Sequence, residues 1–309
     1  MATLLSARKA WPAILIFLCL TGFSPVLAGD QPDYTYRTGA TEVRLTFSAT
    51  DQNDHGVATL LPTDFVVVDK EVIVRDYQSF SRAAFTKLEI VIVLDASQSV
   101  SPKFRREIAD TIDLLAQTSG VPEENISLIS FRNAEPAVIC AGNCRSEHIA
   151  DRLPSQQAVG LTPLYDTVTF ASQFLAQRGD EQTEKALILF SDGQDTISRS
   201  SAGEALDAAI HSDVRIYSID LGSAAAARLP GTRLLQAFAR ASGGRYLSAS
   251  TGASQALNLV LEGFRASYTV SYKLPTHFRG FHDVHILPTH NQNLQFRSRS
   301  GYYYPSYIR

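Results

Sequence analysis

The chain has 309 residues, 45% of them hydrophobic and 19% charged, with 28 Lys and Arg against 31 Asp and Glu and a formal net charge of −3. That supplies a core large enough for one large domain or two smaller ones. It carries no basic stripe and no interleaving of aromatic with basic residues, which excludes the electrostatic footprint of a nucleic-acid-binding protein.

Arg8 and Lys9 precede an apolar run from Trp11 to Leu20 and a small-residue end at Val26-Leu27-Ala28. This is the plan of a secretory signal peptide cleaved after Ala28, and the expectation is an exported protein, periplasmic or extracellular. The apolar run falls short of the roughly 20 residues of a membrane span, so an uncleaved anchor is the lesser alternative. Cys19 has no small residues just before it, which argues against lipoprotein processing. Cleavage removes two of the 28 basic residues and none of the 31 acidic, taking the formal charge from −3 to −5. No later apolar run is long enough to cross a membrane. Two cysteines remain, Cys140 and Cys144 in Cys-Ala-Gly-Asn-Cys. In an oxidising compartment such a pair reads as a disulfide. So short a ring gains little entropic stability, so its role would be to pin a local loop. A metal site there would need two further ligands close by.

Residues 29–40 are a polar lead-in with Pro32 and Gly39. From Glu42, Val43, Leu45 and Phe47 alternate with Arg44, Thr46 and Ser48, the pattern of a half-buried strand. Asp51 to Gly56 is a turn by composition. Phe65 to Val68 and Val72 to Val74 read as a hairpin about Asp69-Lys70. Residues 42–79 thus form a small antiparallel unit, which needs more strands to stand alone.

From Leu88 the rhythm becomes strand and helix. Ile90 to Leu94 are five apolar residues, four of them β-branched, and read as a strand buried on both faces of a parallel sheet. Ser101 and Pro102 suit the N-cap and first position of a helix. Its apolar stripe is Phe104, Ile108, Ile112 and Leu115, closed by Gly120. Strands follow at Ile126–Phe131 and Ala137–Cys140, then an irregular stretch over 141–161. A helix carries Leu164, Val168, Ala171 and Leu175 and ends at Gly179; a buried strand spans Ala186–Phe190. After it come a helix over 202–211, a strand over 214–220, a helix over 232–241, a strand over 245–247 and a helix over 253–265. This alternation predicts an α/β fold with a doubly wound, mostly parallel sheet over 88–266. Beyond it Tyr268, Val270 and Tyr272, then Val284 and Ile286, then Leu294 and Phe296 restore the alternating pattern. The N-terminal segment 29–87 and the C-terminal segment 267–309 are expected to pair in one small antiparallel β unit, with the α/β domain set between them.

The chemistry concentrates at the strand ends. Asp95-Ala96-Ser97-Gln98-Ser99 leaves the buried strand with a carboxylate and two hydroxyls at alternate positions, at the sheet edge where open α/β folds bind ligands. Gly160-Leu161-Thr162-Pro163 places a third hydroxyl just before a helix. Phe190-Ser191-Asp192-Gly193 ends another buried strand with a second carboxylate. Hard oxygen donors without His or Cys suit Mg²⁺, Mn²⁺ or Ca²⁺. Taken singly, these serines are helix caps and Asp192-Gly193 is a turn; their ordered company on three loops favours a metal site. At this point the chain resembles the von Willebrand factor type A domain with its metal-ion-dependent adhesion site, over roughly 88–265. The flanking β segments and the Gly301-Tyr302-Tyr303-Tyr304-Pro305 ending also resemble an exported bacterial family of such proteins. The resemblance implies metal ligands at Asp95, Ser97, Ser99, Thr162 and Asp192, with Mg²⁺ foremost. It also implies an open coordination position that accepts a carboxylate from a partner protein. Asp195 and Gly160 would stand behind these ligands. Asp166 reads equally well as an ordinary first-turn acid.

His277, His282, His285 and His290 show no known ligand spacing and read as solvated or strand-face residues rather than a Zn²⁺ site. The tyrosine-rich ending reads as packing on the β unit, and Asn125-Ile126-Ser127 as a strand opening rather than a glycosylation acceptor. The expected function is a divalent-cation-dependent protein-binding or adhesion module, not an enzyme. A metal-assisted hydrolase and an envelope component with a purely stabilising metal are the alternatives. Against the hydrolase, the chain has no Gly-x-Ser-x-Gly, no His-Glu-x-x-His and no phosphate-cradling glycine loop.

Overall fold

Four β-branched residues and a leucine cannot face water on either side without cost, and strand β5 is placed accordingly. In the computed structural model of the protein, β5 (Leu88–Asp95) is buried at every position. The structure describes residues 42–82, 87–101, 103–116, 121–133, 135–144, 158–180, 183–222, 229–248, 253–290 and 293–304. The expected signal peptide, the 29–40 lead-in, Pro102, Gly120 and Pro305 lie outside these residues, as does most of the irregular 141–161 stretch. No helix among the described residues is long and apolar enough to cross a membrane.

Before β5 come β1 (Glu42–Thr50), β2 (Phe65–Asp69), β3 (Val72–Val74) and β4 (Tyr77–Arg82). After it come a 3₁₀ turn (Gln98–Val100), α1 (Phe104–Ala116), β6 (Ile126–Arg132), β7 (Glu135–Ala141), α2 (Leu164–Ala176) and β8 (Glu184–Ser191). Then α3 (Ala202–His211), β9 (Val214–Asp220), α4 (Pro230–Ser242), β10 (Arg245–Ser248) and α5 (Ala253–Arg265) follow. The described chain closes with β11 (Ser267–Lys273), β12 (Gly280–Pro288), β13 (Gln295–Ser298) and β14 (Gly301–Tyr304).

The central six-stranded sheet has the order β10-β9-β8-β5-β6-β7. Its pairs are parallel except the β6–β7 pair at one edge. Ile90, Ile92 and Leu94 of β5 face a core with Phe104 and Ile108 of α1 and Val260 and Phe264 of α5. Val91 and Val93 face the opposite core, with Val168, Ala171 and Leu175 of α2, Ala205 of α3 and Leu235 of α4. Helices therefore cover both faces, and the sheet is a doubly wound α/β sheet. The winding direction reverses between β5 and β8, where an open α/β sheet forms its ligand crevice. Cys140 and Cys144 are disulfide-bonded at the end of β7.

The flanking segments form two further antiparallel sheets, β13-β1-β11-β4 and β14-β12-β2-β3, each taking strands from both ends of the chain. They enclose a core of Phe47, Phe65, Val67, Tyr272, Val284 and Ile286. The β2–β3 turn places Lys70 and Glu71 at φ 49° and 68°, the positive-φ pair that matches a two-residue hairpin to strand twist.

Two local expectations differ from what is found. Ser101 is not the N-cap of α1: it closes the 3₁₀ turn, its N–H bonding the Gln98 carbonyl, and α1 begins at Phe104. The turn is favoured because Ser97 is extended, at φ −80° and ψ 168°, so the loop curls back over the sheet edge before the helix starts. Strand β11 is not half-buried; only Lys273 is exposed. Its hydroxyls are accommodated by cross-strand pairing, Thr269 with Thr46 at 3.2 Å and Ser271 with Ser79 at 2.7 Å.

His277, His285 and His290 are exposed, while His282 is a strand-face residue with 0% exposure. Its Nδ1 meets the carboxylate of Asp69, equally buried, at 2.9 Å and its Nε2 meets the Phe278 carbonyl at 2.8 Å. Tyr272 and Tyr302 donate to the other Asp69 oxygen at 2.9 and 2.6 Å. Burial and the neighbouring carboxylate push both phenol pKa values up. Tyr303 packs against α3 instead, stacking on His211 and donating to Asp207 at 2.9 Å.

Candidate metal centre

Parallel pairing aligns Leu94 of β5 with Phe190 of β8, so the residues leaving the two strands, Asp95 and Ser191-Asp192, emerge side by side. Asp95 is fully buried. One of its carboxylate oxygens accepts the Ser97 amide at 3.0 Å, which curls the loop, and the other accepts the Ser191 hydroxyl at 2.7 Å. The Gly193 amide in turn donates to Ser191 Oγ at 3.1 Å. A chain of hydrogen bonds thus runs from the Asp192-Gly193 turn to Asp95. Ser97 Oγ and Ser99 Oγ lie 3.1 Å apart, the first buried and the second exposed.

The third loop is laced to these two through its backbone. Val159 N–H bonds the Ala96 carbonyl at 3.0 Å, and Gln98 N–H bonds the Gly160 carbonyl at 3.0 Å. Thr162, also buried, exchanges hydrogen bonds with Thr196: its amide donates to Thr196 Oγ1 at 2.8 Å and its carbonyl accepts the Thr196 amide at 2.9 Å. Gly160 sits at φ 91°, and a Cβ there would fall 2.0 Å from Asn133 Oδ1. Its contribution is close backbone approach between loops rather than a side-chain ligand.

The structure thus brings Asp95, Ser97, Ser99, Thr162 and Asp192 to one edge of the sheet. Asp192 is half-buried, with its carboxylate oxygens held by the Gln194 amide and side chain at 3.1 Å each. Asp195 borders the same cleft as Ser99 and Asp192, but its carboxylate accepts Ser198 Oγ at 2.6 Å and the Tyr165 amide at 3.3 Å, which caps α2. Asp166 accepts the Arg199 and Ser200 amides at 2.9 Å each. Partial burial works against its charge, yet these amides hold its carboxyl below the ordinary value, and it clamps the loop following Asp195. Ser191, Thr196 and Ser198 were not singled out in the sequence. The available signal was the density of hydroxyls over 191–201, five Ser or Thr among eleven residues, more than one turn requires.

The donor chemistry fits a hard divalent cation. Mg²⁺ takes six oxygens at about 2.0–2.1 Å, so adjacent ligands lie about 2.9 Å apart; the Ser97–Ser99 separation is close to such an octahedral edge. Among the described residues no group of three or more His, Cys, Asp and Glu is gathered for a metal, so ligation here would depend on hydroxyls beside two carboxylates. Burial, with a smaller contribution from Asp192, pushes the Asp95 carboxyl up to about 6. Without metal, the fold therefore binds a proton that the unfolded chain releases near 3.8, and this group costs stability as pH rises from about 4 to 6. A metal competes with that proton. Divalent-ion affinity is expected to rise up to about tenfold per pH unit below pH 6 and to level off above it, measured by titration at fixed ionic strength. A pH-independent affinity between 4.5 and 6 would contradict this.

Residues 90–194 match the family model of the von Willebrand factor type A domain. Over this stretch the chain is similar to a von Willebrand factor type A domain. Among solved structures, a von Willebrand factor type A protein from Catenulispora acidiphila is 12% identical, with 85% of this chain and 74% of that one covered and a TM-score of 0.48. An aerotolerance-related membrane protein from Bacteroides fragilis NCTC 9343 is 14% identical, with 57% and 98% covered and a TM-score of 0.44. Proximal thread matrix protein 1 of the mussel byssus, with a zinc-occupied MIDAS motif, is 16% identical, with 56% and 47% covered and a TM-score of 0.44. The present chain spans about half the length of the mussel protein. No curated protein matches the chain. The type A domain match contains Asp95, Ser97, Ser99, Thr162 and Asp192.

Proposed function

We propose that the protein is an exported, divalent-cation-dependent protein-binding module whose site accepts an acidic residue of a partner protein. The observation that carries this reading is the convergence of two carboxylates and three hydroxyls from three hydrogen-bonded loops at the switch point of the sheet. Asp95, Ser97, Ser99, Thr162 and Asp192 would hold the ion, Mg²⁺ foremost with Mn²⁺ and Ca²⁺ as alternatives. When bound, the ion supplies an electrophilic position for a carboxylate, because neutral hydroxyls in its shell leave its charge only partly balanced. Asp95 stays in place through Ser97 and Ser191, and the Thr162–Thr196 exchange holds the third loop against the second. The start of α1 adds its positive end to the same edge.

Binding is favoured over hydrolysis because the loops 95–101, 158–163 and 191–200 contain no histidine, lysine, cysteine or glutamate that could serve as a base or nucleophile beside the ion. Export is supported by the basic–apolar–small N-terminal pattern and by the Cys140–Cys144 disulfide. The test uses N-acetylglutamate and its neutral analogue N-acetylglutamine as probes of the full chain in Mn²⁺ and in chelator. The acid is expected to bind only with metal, the amide in neither condition, and Asp192→Ala to abolish the effect. Equal binding of acid and amide would overturn the reading.

A further inference from the structure

The loops that carry the candidate ligands also carry apolar side chains that the fold leaves in water. Ten large hydrophobic residues are exposed among the described residues, and four of them stand at this one edge of the molecule. They are Val159 at 45%, Leu161 at 50%, Ile197 at 41% and Leu229 at 55% exposed. Singly exposed apolar residues are ordinary; their gathering around one candidate ligand site is not. The exposure of Val159 and Leu161 is built in, because the backbone on either side is fixed. Ala158 and Thr162 are buried, Val159 N–H is held by Ala96, and Leu161 bonds Asn133 through both its amide and its carbonyl. Leu229 is held by the start of α4, where Gly231 packs backbone to backbone on Asp192 and Gly193.

Beside the ligands lies a cleft of about 710 Å³ whose lining includes Ser99 and Asp192 together with Leu221, Leu229, Pro230 and Leu234. Such a volume is in the range that accepts ligand groups. The lysine on its lining, Lys103, already donates to the Leu221 and Gly222 carbonyls, so this cation is engaged within the fold.

We propose that the metal position and this leucine-walled cleft form one recognition surface, selective for a partner segment that presents an acidic residue flanked by bulky aliphatic residues. The inference rests on the metal-dependent carboxylate binding proposed above and names the class of partner. The carboxylate supplies the polar anchor, and its aliphatic neighbours cover Leu229, Ile197 and the cleft wall.

The test titrates acetyl-Leu-Glu-Leu-amide and acetyl-Gly-Glu-Gly-amide into the full chain in saturating Mn²⁺. The leucine peptide is expected to bind about tenfold tighter, the effect of burying one or two aliphatic side chains less the ordering they lose. In Leu229→Ser and, separately, Ile197→Ser, both at exposed positions, the ratio should fall toward one, with folding checked by circular dichroism. Equal affinities of the two peptides for the wild type would overturn this inference while leaving carboxylate binding intact. If the metal binds and neither peptide does, the carboxylate reading fails and this inference fails with it.

Discussion

Replacing Asp69 with alanine is expected to cost about 3–5 kcal/mol of stability, the range for removing one partner of a buried charged network. Asp69 is fully buried and receives Tyr272, Tyr302 and His282. Alanine would leave two phenols and an imidazole facing a cavity that water cannot readily satisfy. Because these partners lie on β11, β14 and β12, the loss should loosen both antiparallel sheets at once rather than one hairpin. Urea denaturation measures it: the midpoint should fall strongly in Asp69→Ala and hardly at all in Asp283→Ala, whose 3.9 Å approach to Lys70 is solvent-exposed. A change below about 1 kcal/mol in Asp69→Ala would show that the network does not hold the β unit.

Gly193→Ala is the second large effect. Gly193 has φ 75°, and an added Cβ would fall 2.2 Å from the Gly231 carbonyl oxygen. That contact is backbone on backbone, so no rotamer change relieves it. The Gly193 amide also donates to Ser191, which donates to Asp95, so displacing the turn disturbs both candidate carboxylates. The expected cost is about 2–4 kcal/mol, steric overlap adding to the strain of a left-handed non-glycine residue. Metal affinity in whatever folds should fall at least about tenfold. Gly203→Ala provides the contrast: it lies in α3, where the nearest atom an added Cβ would meet, Ser201 Oγ, is 3.8 Å away, and should be neutral or stabilising. Wild-type stability and affinity in Gly193→Ala would refute the close packing of this turn against α4.

These two positions also mark where sequence reasoning reached and where it ended. The α/β architecture was legible because its signals are local. Five apolar residues from Ile90 to Leu94 can only be a buried strand, and Leu164, Val168, Ala171 and Leu175 at helical spacing are all fully buried on α2. Asp95, Ser97 and Ser99 stood out for the same reason, three oxygens at alternate positions after a buried strand. Asp69 did not, because a polar residue between two short strands reads as a turn; it is instead the inward-facing last residue of β2. Its partners Tyr272, His282 and Tyr302 lie more than 200 positions away, beyond any periodicity. Ser191, Thr196 and Ser198 were hidden by their type, since hydroxyls in a loop have many uses and only the folded chain shows which one each serves. The start of α1 was misplaced because Ser-Pro is a good helix opening, yet the Asp95–Ser97 turn curls the loop through a 3₁₀ segment first.

The central claim, that the three loops hold a divalent cation, is tested most directly by calorimetric titration of Mg²⁺ and Mn²⁺ into chelator-stripped protein at pH 7.5, beside Asp95→Ala and Asp192→Ala. The account predicts saturable one-to-one binding by the wild type and its loss in both variants while they remain folded. Absence of saturable binding of either ion to the folded wild type, with and without acetyl-Leu-Glu-Leu-amide present, would contradict it.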